Sequence, residues 1–161
     1  MIRCWHAADG AARSVTAEEA VRLALAGPGA VWIDLVDEPP AAVGAALAPL
    51  GLHPLAVEDM VADVNRPKVD SYGRYVYLVV HSARWDEDRP ELREIDLLVG
   101  ERVLVTHHEG ATRSVRTAHE VLPRRPELLE RGPAPLMHFL LDVMVDHWLP
   151  IVDQISDEVD G

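Results

Sequence analysis

The stretch over residues 50–86 constrains the fold most, because a helical pattern changes to a strand pattern across one proline. Gly51 and Pro54 mark the start of a helix, since glycine breaks the preceding element and proline is favoured in a first helical turn. Pro67 disfavours helix at the residue before it, so the helix ends upstream. The aromatic and β-branched residues that follow alternate, which predicts a strand. We expect residues 76–83 to form the central strand of a sheet.

The rest of the chain alternates predicted strands and helices. The expected elements are a short edge strand from Met1 to Ala7, a helix capped by Thr16 and ended by Gly27, a strand from Val31 to Val36, an alanine-rich helix to Leu50, a hairpin over Leu92–His107, and helices from Ala111 to Leu122 and up to Glu130. Residues 131–135, which include one glycine and two prolines, then interrupt the helical pattern. The pattern predicts an α/β/α layered domain with a mixed sheet over residues 1–130, then a helical segment over residues 131–161 that begins a long C-terminal helix.

Composition and motif content restrict the partners, the cell compartment and the activities that we expect. A chain of 161 residues with 48% hydrophobic residues can bury a proper core as one domain. The formal charge of −12 disfavours nucleic acid and favours cations as partners. The single cysteine, Cys4, fits a small buried hydrophobe in a reducing cytoplasm, and no stretch is apolar over the ~20 residues that span a bilayer. Motifs of nucleophilic catalysis and phosphate loops are missing from the sequence, so we do not expect an enzyme.

The last helix is predicted to carry an acidic stripe. At ~100° per residue its aspartates fall within about 60° of one another. They are Asp142, Asp146, Asp153, Asp157 and Asp160. An apolar face lies opposite, formed by Leu140, Met144, Trp148, Ile151 and Ile155. Pro150 removes a hydrogen bond inside this helix, which predicts a kink or a break there.

Three histidines could contribute to a metal site, but roles without a metal are favoured for them. His53 precedes a helix, where a histidine most often caps the helix or bonds locally. His107 and His108 end the predicted hairpin and are interpreted as a solvated strand end. Carboxylates without nearby cysteine select hard cations such as Mg²⁺, and a site with one or two carboxylates binds weakly, on the order of 10⁻⁴–10⁻³ M.

Several short motifs resemble, in order and spacing, the amino-terminal domain of CorA-type magnesium and cobalt channels. The residues that carry the resemblance are Gly51–Leu55, Glu58-Asp59, Arg66–Val69 and Trp85-Asp86, with Trp32–Leu35 upstream and Leu140–Asp142 and Val145-Asp146 downstream. The resemblance covers nearly the whole chain, from about Val31 to Asp160.

The resemblance implies a function and a site. The family ends in two transmembrane helices with a Gly-Met-Asn loop that this sequence does not contain, so the chain is expected to be the cytoplasmic part of a longer membrane protein. The family assembles as a pentamer in which Mg²⁺ bridges neighbouring subunits and closes the channel. By resemblance Asp59 holds the main regulatory position, with Glu58 and Asp142 in a secondary site. The other aspartate of the main site belongs to a stalk helix of which this sequence has only the beginning.

Alternatives remain open at the level of sequence. The zinc-transporting branch of the same superfamily has an equivalent domain, so Co²⁺ or Zn²⁺ could replace Mg²⁺. An acidic module that binds another protein without metal regulation is a second alternative, and an effect of millimolar Mg²⁺ on stability or assembly would separate it from the first. At five times −12 the charge repulsion predicts that this portion is monomeric or weakly associated by itself.

Overall fold

The computed structural model describes residues 1–62, 65–86 and 89–160. Its strands are β1 (Ile2–Ala8), β2 (Ala11–Val15), β3 (Ala30–Val36), β4 (Lys68–Ser71), β5 (Val76–Asp86), β6 (Arg89–Val99) and β7 (Val103–His108). Its helices are α1 (Ala17–Ala26), α2 (Pro40–Leu47), α3 (Pro54–Met60), α4 (Arg113–Val121), α5 (Glu127–Glu130) and α6 (Ala134–Asp160). Short 3₁₀ turns follow α2 and α4.

The strands form one seven-stranded mixed sheet in the order β2-β1-β3-β7-β6-β5-β4. The β3 and β7 strands pair in parallel, and their other neighbours pair antiparallel to them. One core cluster joins the sheet to α1, α2 and α3, and the other joins it to α4, α5 and α6. The helices therefore cover both faces, which confirms the predicted α/β/α layers.

The prediction of the central strand is wrong. The strand over residues 76–86 lies second from an edge, whereas β3 lies well inside the sheet and all seven of its residues are buried. The pattern misled because β5 is paired on both sides and packs into the core on both faces, with Tyr77 and Val79 in one cluster and Leu78 and Val80 against the other. It therefore needs apolar residues on both faces, as an inner strand does.

The first strand is not an edge strand as predicted, because β2 pairs outside it. A two-residue turn joins β1 to β2, and both of its residues, Asp9 and Gly10, have positive φ angles of 52° and 75°. Asp-Gly is a strong hairpin signal, so this strand was open to prediction from the sequence.

Helix α6 is continuous through Pro150, so the predicted break is not found. Its apolar face packs as expected at Leu140, Met144 and Ile151, which are all buried. Residues 152–159 are all exposed, so the last part of α6 projects from the domain. Among the described residues, none of the helices combines the length and hydrophobicity needed to span a bilayer.

Candidate cation site

Helix α3 places two carboxylates at the surface. His53 caps the helix, because its Nδ1 accepts a hydrogen bond of 3.2 Å from the Leu55 amide, and Pro54 occupies the first turn. Ala56 and Met60 anchor one side of the helix in the core. Glu58 is exposed and Asp59 is partly exposed.

The Asp59 carboxylate already has a cationic partner within the chain. Its Oδ2 accepts a hydrogen bond from Lys68 Nζ on β4, and the same ammonium lies 3.2 Å from Asp70 Oδ2. The hydrogen bond to Asp59 raises the pKa of Lys68, so the ammonium remains charged at neutral pH. About a third of each side chain in the Lys68–Asp59 pair is exposed to solvent. A cation that binds Asp59 therefore competes with Lys68.

The chain after α3 is held to the sheet through Asn65. Its side-chain amide donates to the Asp59 backbone carbonyl at 2.8 Å and to Glu94 Oε1 at 2.9 Å. Its backbone N–H donates to Glu94 Oε2 at 2.6 Å. These bonds fix the end of the Glu58-Asp59 segment relative to β6.

The third predicted ligand lies elsewhere. Asp142 is exposed on α6, which packs on the face of the sheet opposite to α3. The rest of the acidic stripe is also exposed at Asp146, Asp153 and Asp157, while the side chain of Asp160 lies outside the described residues. No group of three potential ligands is close enough to hold a metal ion in the described part of the chain. A site that uses both Asp59 and Asp142 would thus need two copies of the chain.

A second acidic centre, around the buried side chain of Asp34, was not predicted from the sequence. This carboxylate is fully buried on β3 and accepts four hydrogen bonds. Thr106 Oγ1 and His108 Nε2 lie 2.7 Å and 3.1 Å from its Oδ1, and Arg3 Nη2 and His119 Nε2 lie 3.0 Å and 2.8 Å from its Oδ2. Two carboxylate oxygens offer about four acceptor sites, so these donors use the full capacity of Asp34.

The hydrogen bonds place partners at both nitrogens of the two histidines. His108 Nδ1 lies 2.8 Å from the Gly110 carbonyl and its Nε2 lies 3.1 Å from Asp34, so each ring nitrogen faces an acceptor. The His119 Nδ1 instead accepts from Trp5 Nε1 at 2.9 Å, so this ring donates to Asp34 from Nε2. The interpretation of His108 as part of a solvated strand end is therefore wrong, since its side chain is buried and bonded to Asp34.

Electrostatics agrees with an Asp34 carboxylate that is ionised at neutral pH. Burial by itself raises the pKa of Asp34, but the hydrogen bonds and charge of His108 and the bond from His119 outweigh it and hold the pKa well below its ordinary value. Burial, together with the charge of Asp34, raises the pKa of the Cys4 thiol to about 11, so this cysteine is a protonated core residue as expected. The Asp34 centre holds the fold together and has no free ligand position.

Comparison with known proteins gives matches over most of the chain. The family model described as CorA-like Mg2+ transporter protein matches residues 28–161. YfjQ of Bacillus subtilis (strain 168) is 34% identical over 107 residues, which are 66% of this chain and 33% of that protein. The cobalt/magnesium transport protein CorA of Thermotoga maritima is 26% identical over 113 residues, which are 68% of this chain and 32% of that protein. The chain therefore spans about a third of the length of these curated relatives.

Solved structures share the fold. The complete structure of the CorA magnesium transporter from Methanocaldococcus jannaschii has a TM-score of 0.74 at 13% identity, covering 99% of this chain and 49% of that chain. The ZntB cytoplasmic domain from Vibrio parahaemolyticus RIMD 2210633 has a TM-score of 0.71 at 14% identity, covering 98% of this chain and 63% of that chain. At such identities the likeness concerns the fold alone.

Proposed function

We propose, since this chain belongs to the family of CorA-like Mg²⁺ transporter proteins, that it is the cytoplasmic regulatory domain of a divalent-cation channel. In this proposal Mg²⁺ binds between neighbouring subunits of a pentamer and holds the channel closed. Glu58, Asp59 and Asp142 supply the carboxylates. Family membership over residues 28–161 is the observation that carries the proposal.

The placement of the carboxylates supports a site between subunits. Glu58 and Asp142 are exposed, and they lie on helices that cover opposite faces of the sheet. One copy of the chain cannot bring them to the same ion, but the α3 side of one copy can face the α6 side of the next. The exposed aspartates at 146, 153 and 157 would extend the negative surface beside such a contact.

Mg²⁺ binding could control gating because it is thermodynamically coupled to the packing of neighbouring subunits. Carboxylates from two subunits repel one another when the subunits pack closely, and a divalent ion removes this repulsion. Subunits that separate leave each carboxylate solvated and need no ion. Mg²⁺ then shifts the population toward the packed state. The size of this shift is limited by the difference between the Mg²⁺ affinities of the two states.

The Lys68–Asp59 pair gives this proposal a specific physical form. In a single chain the Lys68 ammonium is shared between Asp59 and Asp70, so it balances part of their charge and competes with Mg²⁺ there. A further carboxylate brought by a neighbouring subunit adds charge that one ammonium cannot balance. Occupancy by Mg²⁺ is therefore expected to depend on the neighbouring subunit, and to occur only at high Mg²⁺ concentration.

The test measures flux through the reconstituted protein of which this chain forms part, at low and high internal Mg²⁺. The triple variant Asp59→Asn, Glu58→Gln and Asp142→Asn is expected to lose inhibition by Mg²⁺ while its pore selectivity is unchanged. A matched triple variant, Glu18→Gln, Glu101→Gln and Glu120→Gln, removes the same charge from exposed positions and should behave as the parent. If the first variant is inhibited at the parent's Mg²⁺ concentration, the three carboxylates are only a solvated surface.

A further inference from the structure

A cavity of about 350 Å³ lies where three elements meet, on the side of the sheet covered by α4 and α6. The start of α4, the far end of the β5–β6 hairpin and residues 144–151 of α6 surround it. We refer to it as the arginine cavity, because it is lined by Arg84, Arg93, Arg113 and Arg116. The whole chain has 15 lysines and arginines against 27 acidic residues, so four of its cationic side chains at one cavity is a strong local excess.

Two buried hydroxyls at this cavity have no hydrogen-bond partner among the described residues. Thr112 and Ser114 line the cavity with exposed fractions of 4% and 2%. Neither the Thr112 Oγ1 nor the Ser114 Oγ bonds to any group in the described part of the chain. Buried hydroxyls are almost always paired in folded proteins, so two unpaired ones at a single cavity indicate a missing acceptor.

The first turn of α4 has an unusual charge pattern. Thr112 is the N-cap residue, but its side chain makes no capping bond. Across residues 1–62, 65–86 and 89–160, the amides of Arg113, Ser114 and Val115 have no acceptor. The first turn contains no acidic residue, and Arg113 and Arg116 place positive charge at the positive end of the helix dipole. An anion at this point would satisfy both the amides and the arginines.

The four arginines differ in their partners. Arg84 and Arg93 already face Glu91, and Arg84 also pairs with Asp86. Arg113 and Arg116 are exposed and have no carboxylate partner among the described residues. The arginines on α4 are therefore the ones with charge available for a ligand.

We propose that the arginine cavity binds a small phosphate monoester, with the phosphate at the first turn of α4. The amides of that turn, Thr112, Ser114 and the two α4 arginines would hold its oxygens. The lining also includes the apolar side chains of Trp85, Met144 and Ile151, which would contact the organic part of the ligand. The volume falls at the lower end of the range of about 300–1,000 Å³ for small-molecule sites. This site does not depend on the cation site proposed above.

Calorimetric titration of the 161-residue chain at constant ionic strength tests the proposal. The probes are inorganic phosphate, adenosine monophosphate and adenosine. We expect saturable binding of both phosphates, tighter binding of the monophosphate ester, and no saturation by adenosine. Absence of saturable phosphate binding at millimolar concentration, or equal affinity for ester and inorganic phosphate, would overturn the proposal.

Variants distinguish a built site from general attraction to positive charge. The double variant Arg113→Gln, Arg116→Gln should weaken phosphate-ester binding at least about tenfold, since it removes charge-assisted hydrogen bonds. Arg131→Gln, at an exposed position outside the cavity, should change it less than about twofold because distant exposed charges are screened. Thr112→Val removes one hydroxyl without changing charge or shape and should weaken binding about fivefold. If it binds as the parent does, or if Arg131→Gln matches the double variant, the proposed geometry is wrong.

Discussion

Asp34 and Asp59 both bond to cationic side chains, but their surroundings differ in every other respect. Asp34 is fully buried and accepts from four donors on β1, β7 and α4. Asp59 is about one-third exposed, and its carboxylate bonds to one flexible ammonium. A buried carboxylate whose acceptor sites are all used stabilises the fold and cannot exchange partners easily. A pair that is about one-third exposed can exchange Lys68 for another cation. Acidity alone therefore does not mark a cation site; unused acceptor capacity does.

The largest expected effect is on stability at the buried centre. Asp34→Ala should lower the free energy of unfolding by about 3–5 kcal/mol, because it leaves Arg3 without its counter-ion and the buried donors of Thr106 and His108 without an acceptor. Urea denaturation measures this. Asp59→Asn is the comparison and should change the free energy by less than about 1 kcal/mol. Equal effects of the two substitutions would remove the distinction between the two carboxylates.

The pH dependence of stability should reflect the low pKa of the buried Asp34 carboxylate. The unfolded pKa of an aspartate is about 3.9, and that of folded Asp34 is lower because the bonds from His108 and His119 outweigh burial. Its contribution is therefore complete above about pH 5 and is lost as the pH falls toward the folded pKa. Burial raises the pKa of Asp96, which contributes with the opposite sign, so the parent must be compared with Asp34→Asn. The difference in unfolding free energy between them should shrink as the pH falls below about 4. A difference that stays constant down to pH 2 would contradict an ionised Asp34.

A smaller loss of stability is expected at Tyr77. Its buried hydroxyl donates to Asp96 Oδ1 at 2.5 Å, and Asp96 is itself buried. Tyr77→Phe leaves this acceptor short of a partner and should cost about 1–3 kcal/mol in urea denaturation. Tyr72→Phe, at a partly exposed tyrosine near the same strand, is the control and should cost less than about 0.5 kcal/mol. If the two tyrosine substitutions are equivalent, the Tyr77–Asp96 bond adds nothing.

Local signals predicted most of the secondary structure. Thr16 caps α1 by accepting from the Glu19 amide, and Gly27 ends that helix, as the sequence indicates. Pro54 starts α3, and residues 131–133, within the predicted breaker at residues 131–135, separate α5 from α6. These features depend on residues within one or two turns of each other, so the sequence is sufficient to find them.

Features that depend on distant pairing were not predicted. The order of strands puts β3 beside β7 across more than sixty residues of chain, and no local pattern encodes that pairing. The Asp34 centre follows from it, because the register Asp34↔Thr106 and Val36↔His108 brings the carboxylate to its donors. Lys68 lies only nine residues after Asp59, but the contact between their side chains depends on how α3 and the edge strand β4 are arranged in the fold. The charge pattern of residues 142–157 was predicted correctly as an exposed stripe, but the partner of Asp59 was not foreseen.

Substitution of Lys68 is expected to have the smallest effect on stability. It is also the substitution that tests most directly whether a cation can bind at Asp59. Lys68→Gln breaks the pair with Asp59, and an exposed pair of this kind contributes at most about 1 kcal/mol. The same substitution frees the Asp59 carboxylate, so Mg²⁺ should bind it up to about fivefold more tightly, which is the equivalent of that energy. Magnetic resonance of the isotope-labelled chain can follow the amide signals of Glu58 and Asp59 during Mg²⁺ titration at constant ionic strength. Lys68→Arg keeps the positive charge and should leave the affinity near that of the parent. If Lys68→Gln binds Mg²⁺ no better than Lys68→Arg, the lysine does not compete at Asp59, and Asp59 does not differ from Asp34 in its availability to a cation.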